Sequence, residues 1–284
     1  MLSRALPGIL PELSEKESLE VTKIYSITGN IPPGGSLIRQ RPFRSPHHTT
    51  SLVGLIGGGT NPHPGEVSMS HRGVLFLDEF PEFLRSALEA LRQPIEDGFV
   101  TISRSAGSIQ FPAQFILVAA ANPCPCGFLG SDNKECKCTM NQILNYQKKL
   151  SGPIMDRIDL HLNVPAVDVN KLMLDNNNQI KAEKSEVIRL RVKKARSIQL
   201  KRFQDLKGVH CNADMKNRHL KSLVHLSSGA NLLLKQAVNK FGLSARTYFR
   251  LIKVAQTIAD LDDKQEIGES QVAEALQYRV RSEL

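Results

Sequence analysis

The sequence contains no apolar run near the ~20 residues that a bilayer-spanning helix needs. A helical membrane span within these 284 residues is thereby excluded, and no membrane partner is expected. The charged-then-apolar layout of a secretory signal is also missing from the start of the chain. Together these absences lead to the expectation of a cytoplasmic protein. No capping residue precedes Met1–Leu6, which reads as the middle of a helix, so a preceding segment is expected. Pro7 and Gly8 are expected to break that helix. Acidic charge is in short supply: 28 Asp and Glu stand against 37 Lys and Arg, for a formal net charge of +9. Such an excess favours partners with phosphate backbones, or serves solubility. Its densest patch, Lys181–Lys207, mixes basic residues with Leu190, Val192, Ile198 and Leu200, as in an exposed charged helix. The remaining composition, 41% hydrophobic and 23% charged, is that of a soluble globular chain with room for one large or two modest domains.

The stretch Gly73-Val74-Leu75-Phe76-Leu77-Asp78-Glu79 stands out from this background. An unbroken apolar run of this length reads as a strand of a parallel sheet buried on both faces. Unpaired buried charge is costly, so Asp78 and Glu79 are expected at the strand's C-terminal end, where doubly wound α/β proteins bind ligands. Two readings are open. In a nucleotide hydrolase the first acid would hold Mg²⁺ through water and the second would polarise the attacking water. Otherwise the pair is a polar turn. Phe115–Ala121 reads as a second buried strand, followed by Asn122, an amide able to orient a water near the acids if the two strands are neighbours.

Ser14 with Glu17 fits a capping box, and a helix is expected from about Lys16 to Tyr25. Ile31–Gly65 reads as one long Pro-, Gly-, Ser-, Thr- and His-rich loop. Within it, His47 and His48 are adjacent and are expected to be hydrogen-bonded loop histidines rather than metal ligands. Arg39, Arg41 and Arg44 could contact phosphate or lie on a subunit surface. A helix over Pro81–Glu96, bent or ended by Pro94, leads into a hairpin of Phe99–Ile102 and Ser108–Phe111 with Arg104 at its tip. That hairpin is an ordinary one, or a finger that sets Arg104 on a phosphate.

Cys124, Cys126, Cys136 and Cys138 form two C-x-C pairs. Four thiolates in so short a span suit a tetrahedral, structural Zn²⁺ site, with reduced thiols or an iron–sulfur cluster as alternatives. The fifth cysteine, Cys211, is expected in a core. After a helix over Asn141–Leu150, residues 158–164 alternate apolar and polar side chains and read as a half-exposed strand. Arg157, just before it, would pair with Asp156 or Asp159, or project toward a neighbouring subunit. The polar run Asp168–Asn178 marks a boundary, and the chain from about Glu183 onward reads as a helical bundle. Arg246 opens one of its helices, either facing an anion or as a solvated side chain.

Several long motifs in order resemble one family: RPFRSPHHTTS, PGEVSMSHRGVLFLDEFPEF, AAANPCPCG, LSGPIMDRIDLHL and LSARTYFRLIKVAQTIADL are similar to the magnesium-chelatase-like AAA+ ATPases of the ComM/YifB type. The resemblance spans nearly the whole chain. It implies an α/β AAA+ P-loop NTPase-type core, truncated at its N-terminus, over residues 1–167, and an all-α linker and lid over 168–284. It matches Asp78 and Glu79 to the Walker B acids and Asn122 to sensor 1. Arg157 corresponds to an arginine finger acting on a neighbour's ATP, and Arg246 to sensor 2. Gly57–Gly65, with Gly58 and Gly59, matches a helix-2 insert, and Phe99–Phe111, with Arg104, a pre-sensor-1 hairpin; both would face DNA. ATP and Mg²⁺, with Asp78 and Arg246 among the residues that hold them, and a hexameric ring moving on DNA during branch migration are the corresponding cofactors and assembly. One departure is plain: no GxxxxGK[ST] phosphate-binding loop occurs in the chain. The family carries it just ahead of the residues matching Met1-Leu2-Ser3, after a domain resembling the Lon protease's C-terminal fold. The chain is therefore expected to be the C-terminal part of a longer protein that does not hydrolyse ATP alone. A magnesium chelatase ATPase subunit and a non-catalytic binding remnant are the competing expectations.

Overall fold

A computed structural model describes residues 2–31, 34–35, 37–104, 107–130, 134–150, 154–164 and 183–279. The chain divides into two compact units, Met1–Ile158 and Asp159–Leu284. The polar run Asp168–Asn178 and the boundary expected at 167/168 lie outside the described residues.

The first unit opens with helix α1, Leu2–Ile9, which passes through Pro7 where the sequence reading has it broken. A proline removes one backbone hydrogen bond, here the one toward Ser3, without itself reversing the chain. Helix α2, Glu15–Ile27, starts at the expected capping box: the Glu17 N–H donates to Ser14 Oγ at 3.3 Å and the Ser14 N–H to Glu17 Oε2 at 3.0 Å. Its inner face buries Val21 and Ile24.

The segment read as one loop contains short elements: β1 (Phe43–Arg44), α3 (Leu52–Ile56), β2 (Gly57–Gly58), β3 (His63–Pro64) and, just beyond, α4 (Glu66–Met69). None is long enough to carry a hydrophobic period, which is why pattern reading misses them. Two of the three arginines here, Arg41 and Arg44, hold the fold together. Arg44 makes a bidentate pair with Glu66, both contacts at 2.6 Å, and Arg41 donates to the carbonyls of Pro11, Arg72 and Glu12.

Strand β4, Val74–Leu77, is the centre of a three-stranded parallel sheet. Phe43 lies opposite Val74 on one side, and Val74–Leu77 runs opposite Ile116–Ala119 on the other. Gly73 admits the chain to this position, since a Cβ there would lie 2.0 Å from the Pro42 carbonyl oxygen. Leu75 and Leu77 are fully buried and pack in one core with Leu55, Val67, Phe80, Phe83, Leu91 and Val100.

The helix expected over Pro81–Glu96 is broken into a 3₁₀ turn (Phe80–Glu82), α5 (Arg85–Ala90) and α6 (Arg92–Asp97). The break falls at Leu91, and Pro94 sits inside the first turn of α6, where its missing N–H has no helical partner to lose. Strands β5 (Phe99–Arg104) and β6 (Gly107–Pro112) form the expected antiparallel hairpin, with Arg104 opposite Gly107. Strand β7 is Ile116–Ala119, and it is not the buried strand expected, since it pairs with β4 on one side and leaves Ile116 and Ala119 exposed. Helix α7, Met140–Lys149, begins at a Thr139 capping box.

The second unit is helical. It comprises α8 (Ser185–Arg202), α9 (Asn217–Leu223), α10 (Ser228–Phe241), α11 (Ala245–Leu261) and α12 (Glu269–Gln277). The apolar faces read from the sequence form one core, with Leu234, Leu251, Ile252, Ala255, Ile258, Val272, Ala275 and Leu276 all buried. Inside it, Asp260 receives Arg202 in a bidentate pair, Asn212 Nδ2 at 2.7 Å and Gln256 Nε2 at 3.1 Å. Cys211 is not a core residue: it caps the 3₁₀ turn Asn212–Asp214, half-buried, with Sγ 3.3 Å from Asp214 Oδ2. The strand expected over 158–164 joins no sheet among the described residues, and Leu160, Leu162 and Val164 are exposed. Alternation alone supplies no ladder partner, and without one a strand has nowhere to bond.

Candidate functional site

Because β1, β4 and β7 are parallel, their C-terminal ends emerge at one edge of the sheet. His48 follows β1, Asp78 and Glu79 follow β4, and Asn122 follows β7. The condition set for Asn122, that its strand neighbour the acidic one, is met. All three polar groups beyond β4 and β7 are exposed.

Glu79 has φ 50° and ψ 43°, a left-handed conformation that non-glycine residues seldom adopt. Its neighbours hold it there. The Phe80 N–H donates to the Ala120 carbonyl at 2.9 Å, and the Ala120 N–H to the Leu77 carbonyl at 2.9 Å. The Glu79 N–H donates to Asp78 Oδ1 at 3.0 Å. The result turns two carboxylates out of a buried strand into solvent without leaving charge inside. His48 Nδ1 lies 2.9 Å from Glu79 Oε2. His48 and His47 are thus hydrogen-bonded loop histidines as expected, since His47 Nδ1 meets Thr49 Oγ1 at 2.9 Å. The sequence reading did not find that His48 reaches Glu79, because only the pairing of β1 with β4 brings the two together.

The cysteines lie in the loop that follows Asn122. Their sulfurs all fall within 4.8 Å of one another, with Cys124–Cys126 at 3.4 Å, Cys126–Cys136 at 3.5 Å and Cys124–Cys136 at 3.7 Å. Zn–S bonds of about 2.3 Å in a tetrahedron require sulfurs about 3.8 Å apart, so the four residues fit a closed tetrahedral ion such as Zn²⁺. A backbone hydrogen bond at Phe128 leads the influences that draw the Cys126 thiol down to about 6. For Cys136 a backbone hydrogen bond at Cys138 lowers the thiol, but burial and the neighbouring sulfurs prevail and push it up to about 12. A cluster with one easily formed thiolate and three further sulfur donors is chemically suited to a cation. The loop also touches Asn122: a Cβ on Gly127 would be 3.8 Å from Asn122 Cγ. From α7, Tyr146 shares a hydrogen bond with the Asn122 backbone, and burial, with the Glu82 and Glu79 carboxylates, raises its phenol.

The glycine turn and the hairpin tip are neighbours. Gly57 has φ 110°, and a Cβ there would lie 2.5 Å from the His63 carbonyl oxygen, so only glycine lets β2 and β3 close. The Arg104 guanidinium lies 3.8 Å from the position of a Cβ on Gly58. Arg104 thus reaches the β2 strand from a separate segment, but Gly58 is itself buried and so does not present the exposed surface expected of it.

Arg157 sits in the 3₁₀ turn Met155–Arg157, with its side chain 9% exposed. It pairs with Glu96 Oε1 at 2.8 Å. A partner from α6, distant in sequence, was invisible to a local reading. Arg246 is the second residue of α11, behind an N-cap at Ser244 whose Oγ accepts from the Thr247 N–H at 3.2 Å. It belongs to the helical unit.

Two family descriptions match the chain: "Magnesium chelatase, subunit ChlI" over residues 1–172 and "Magnesium chelatase, subunit ChlI C-terminal" over 182–279. The chain is 43% identical over 280 residues to the competence protein ComM of Haemophilus influenzae, covering 98% of this chain and 53% of the relative. It is 42% identical over 280 residues to the uncharacterized protein YifB of Escherichia coli, with the same coverage. The chain thus spans about half the length of the curated relatives it matches. With its parallel sheet, its exposed strand-end acids and its helical C-terminal unit, the chain belongs to the magnesium-chelatase-like AAA+ family, among relatives of the ComM and YifB type.

Proposed function

We propose that this chain carries the water-activating and sensor residues of an ATP-hydrolysing motor that acts on DNA, in a competence or recombination setting. One observation carries the reading: the Asp78-Glu79 pair and Asn122 leave adjacent parallel strands at the same sheet edge. Asp78 would hold Mg²⁺ through water, with Arg246 among the residues meeting the nucleotide. Bound ATP with its Mg²⁺ would supply the phosphoryl group and neutralise charge on it. Glu79 Oε1 or Oε2 takes the proton from the attacking water, and Asn122 orients that water. Arg157 acts on a neighbour's nucleotide in a hexameric ring, which requires it to exchange its Glu96 partner. Arg104, with the Gly58-Gly59 turn, meets DNA phosphate inside that ring. Cys124, Cys126, Cys136 and Cys138 hold a structural Zn²⁺, and the protein works in the cytoplasm. The relative named as a competence protein supports the competence setting.

The decisive experiment joins this chain behind a family segment that carries GxxxxGK[ST] and measures ATP turnover. Hydrolysis that falls by about 10²–10⁴-fold in Glu79→Gln is expected from loss of a general base; unchanged turnover would overturn the reading. Binding of forked DNA that weakens steeply with salt, and less steeply in Arg104→Ala, is the matching expectation for the nucleic-acid surface. A second reading, an ATPase subunit of a magnesium chelatase, is favoured by the family description itself. It predicts metal insertion into a porphyrin and no salt-dependent DNA binding. Elemental analysis near one Zn²⁺ per chain, lost in Cys124→Ser/Cys136→Ser, is expected for the cysteine site.

A further inference from the structure

We infer that the cluster of Cys124, Cys126, Cys136 and Cys138, when it holds its ion, positions the Asn122 amide at the reacting edge of the sheet. The inference rests on reading Asn122 as the group that orients the attacking water and the four sulfurs as a Zn²⁺ site. The sheet alone fixes Asn122 poorly. Among the described residues, the bonds that tie the end of β7 to its neighbour stop at Ala120, whose N–H donates to the Leu77 carbonyl at 2.9 Å. Asn122 lies beyond that point and is exposed, with a side chain that turns about two bonds. An amide so placed orients a water well only if something past the strand holds it.

Two groups hold it, and the cysteines join them. The first is the turn Cys124–Gly127, closed by the Gly127 N–H donating to the Cys124 carbonyl at 3.0 Å. The three atoms nearest a Cβ built on Gly127 all belong to the Asn122 amide, Cγ at 3.8 Å, Nδ2 at 3.9 Å and Oδ1 at 4.0 Å, so this turn lies against the amide. The second is Tyr146 of α7, a buried residue that shares a hydrogen bond with the Asn122 backbone. Cys124 opens the turn and is fully buried, with its Sγ accepting from the Leu129 N–H at 3.3 Å. Cys138 immediately precedes Thr139, the N-cap of α7. Four sulfurs on one ion therefore tie the exit of β7 to the entry of α7, with Asn122 held by both. Pro125, between the first two cysteines, lines a cleft of about 310 Å³ together with Gln142, Asn145 and Tyr146 of α7. Helix α7 also reaches the acidic side of the edge: Lys149 Nζ lies 3.5 Å from Glu82 Oε2, in the 3₁₀ turn that follows Glu79. Ordering the loop between the two C-x-C pairs costs entropy, which metal–sulfur bonds offset. Groups of this kind, which hold a reacting side chain without touching substrate, set how well a site is preorganised.

Zn²⁺ itself is the probe that tests this. In this chain, stripped with a chelator and then titrated with Zn²⁺, the ¹H–¹⁵N signals of the Asn122 side-chain amide are expected to shift, with the change complete near one ion per chain. Asn122→Ala identifies those signals by their loss. Cys136→Ser/Cys138→Ser should remove the response, and unchanged amide exchange over α8–α12 should show that the variant stays folded. Failure to bind Zn²⁺ would overturn the Zn²⁺ reading and the inference with it. One ion bound with the Asn122 signals indifferent to it would overturn the inference alone. In the fusion described above, stripped and assayed with Mg²⁺ replenished, kcat should fall by roughly 10–100-fold with KM for ATP within about twofold, since misplacing a reacting group by about 1 Å costs on the order of 10²-fold. Added Zn²⁺ should restore the rate. Tyr146→Phe, which keeps the ring but loses the hydroxyl at the Asn122 backbone, should lower kcat part of the way with the ion still bound. Asn122→Ala should be no slower stripped than loaded. An ion that only holds the fold would slow Asn122→Ala on removal as well, and that result would overturn the inference. Turnover indifferent to Asn122→Ala would defeat the reading of Asn122 as the water-orienting group. Turnover lowered by Asn122→Ala but indifferent to stripping would defeat only its coupling to the cysteines.

Discussion

Glu79 in the α/β unit and Asp260 in the helical unit are both acids, placed in opposite ways. Glu79 stands at the end of a strand, 57% exposed, with His48 against its carboxylate and a left-handed backbone. Asp260 lies inside a helix with its side chain 0% exposed, and Arg202, Asn212 and Gln256 between them engage both of its oxygens. A buried carboxylate is tolerated only when its charge and lone pairs are answered, so Asp260 is committed to structure. An exposed carboxylate costs little to keep open, and the strain around Glu79 aims it rather than buries it. The contrast separates an acid that holds a fold from one available for chemistry.

Asp260→Ala tests it most severely. It leaves the largely buried Arg202 without its counter-charge, and a loss of about 3–5 kcal/mol in the unfolding free energy of the chain is expected. A loss below about 1 kcal/mol by urea denaturation would erase the distinction. Ser14→Ala should cost about 1 kcal/mol by removing the cap of α2, a local effect confined to the α/β unit. Next comes a pH effect in the same unit. Burial, with Arg72 beside it, lowers His71 from 6.5. The unfolded chain therefore binds that proton more tightly, and stability should fall as pH drops below about 6.5. Glu20 adds to this at lower pH. Burial raises its carboxyl, but the hydrogen bond and charge of Arg72, with His71, prevail and hold it below 4.5. Its stabilisation is present above that value and is lost as pH falls through the lowered one. Amide hydrogen exchange resolved by unit should show the acid-side loss in Met1–Ile158, flattened above pH 5 in His71→Gln. The smallest effect belongs to Glu79→Gln, whose change in stability should stay within about 0.5 kcal/mol, as for an exposed substitution. A large destabilisation there would return Glu79 to the structural class.

Much of the site was readable in advance where local pattern and local chemistry coincide. Val74–Leu77 is apolar without a break because both faces are covered, and the acids follow because charge cannot enter that layer. The hairpin, the Ser14 box and the four cysteines likewise carry their reasons within a few residues. Misreadings came where the partner lies elsewhere. Phe43–Arg44 is too short to show a period, yet it flanks β4. Residues 158–164 show a period but join no ladder among the described residues. Arg157 was read as pairing with Asp156 or Asp159 or projecting toward a neighbouring subunit, and the Glu96 carboxylate it is bonded to was not among the local partners considered.

What the sequence by itself determined is the set of groups and their local settings: strand-end acids, an amide beyond a second strand, clustered thiols, and helices with one apolar face each. These follow from hydrophobic periodicity, capping and ligand chemistry, which act over a few residues. Which groups meet was decided by the tertiary structure alone. Parallel pairing of β1, β4 and β7 brings His48 to Glu79 and sets Asn122 on the neighbouring strand. The close approach of β2–β3 to the hairpin brings Arg104 to Gly58. Hydrogen bonds and ion pairs reach only about 3 Å, so their partners are chosen by how the elements pack and not by how far apart they lie along the chain.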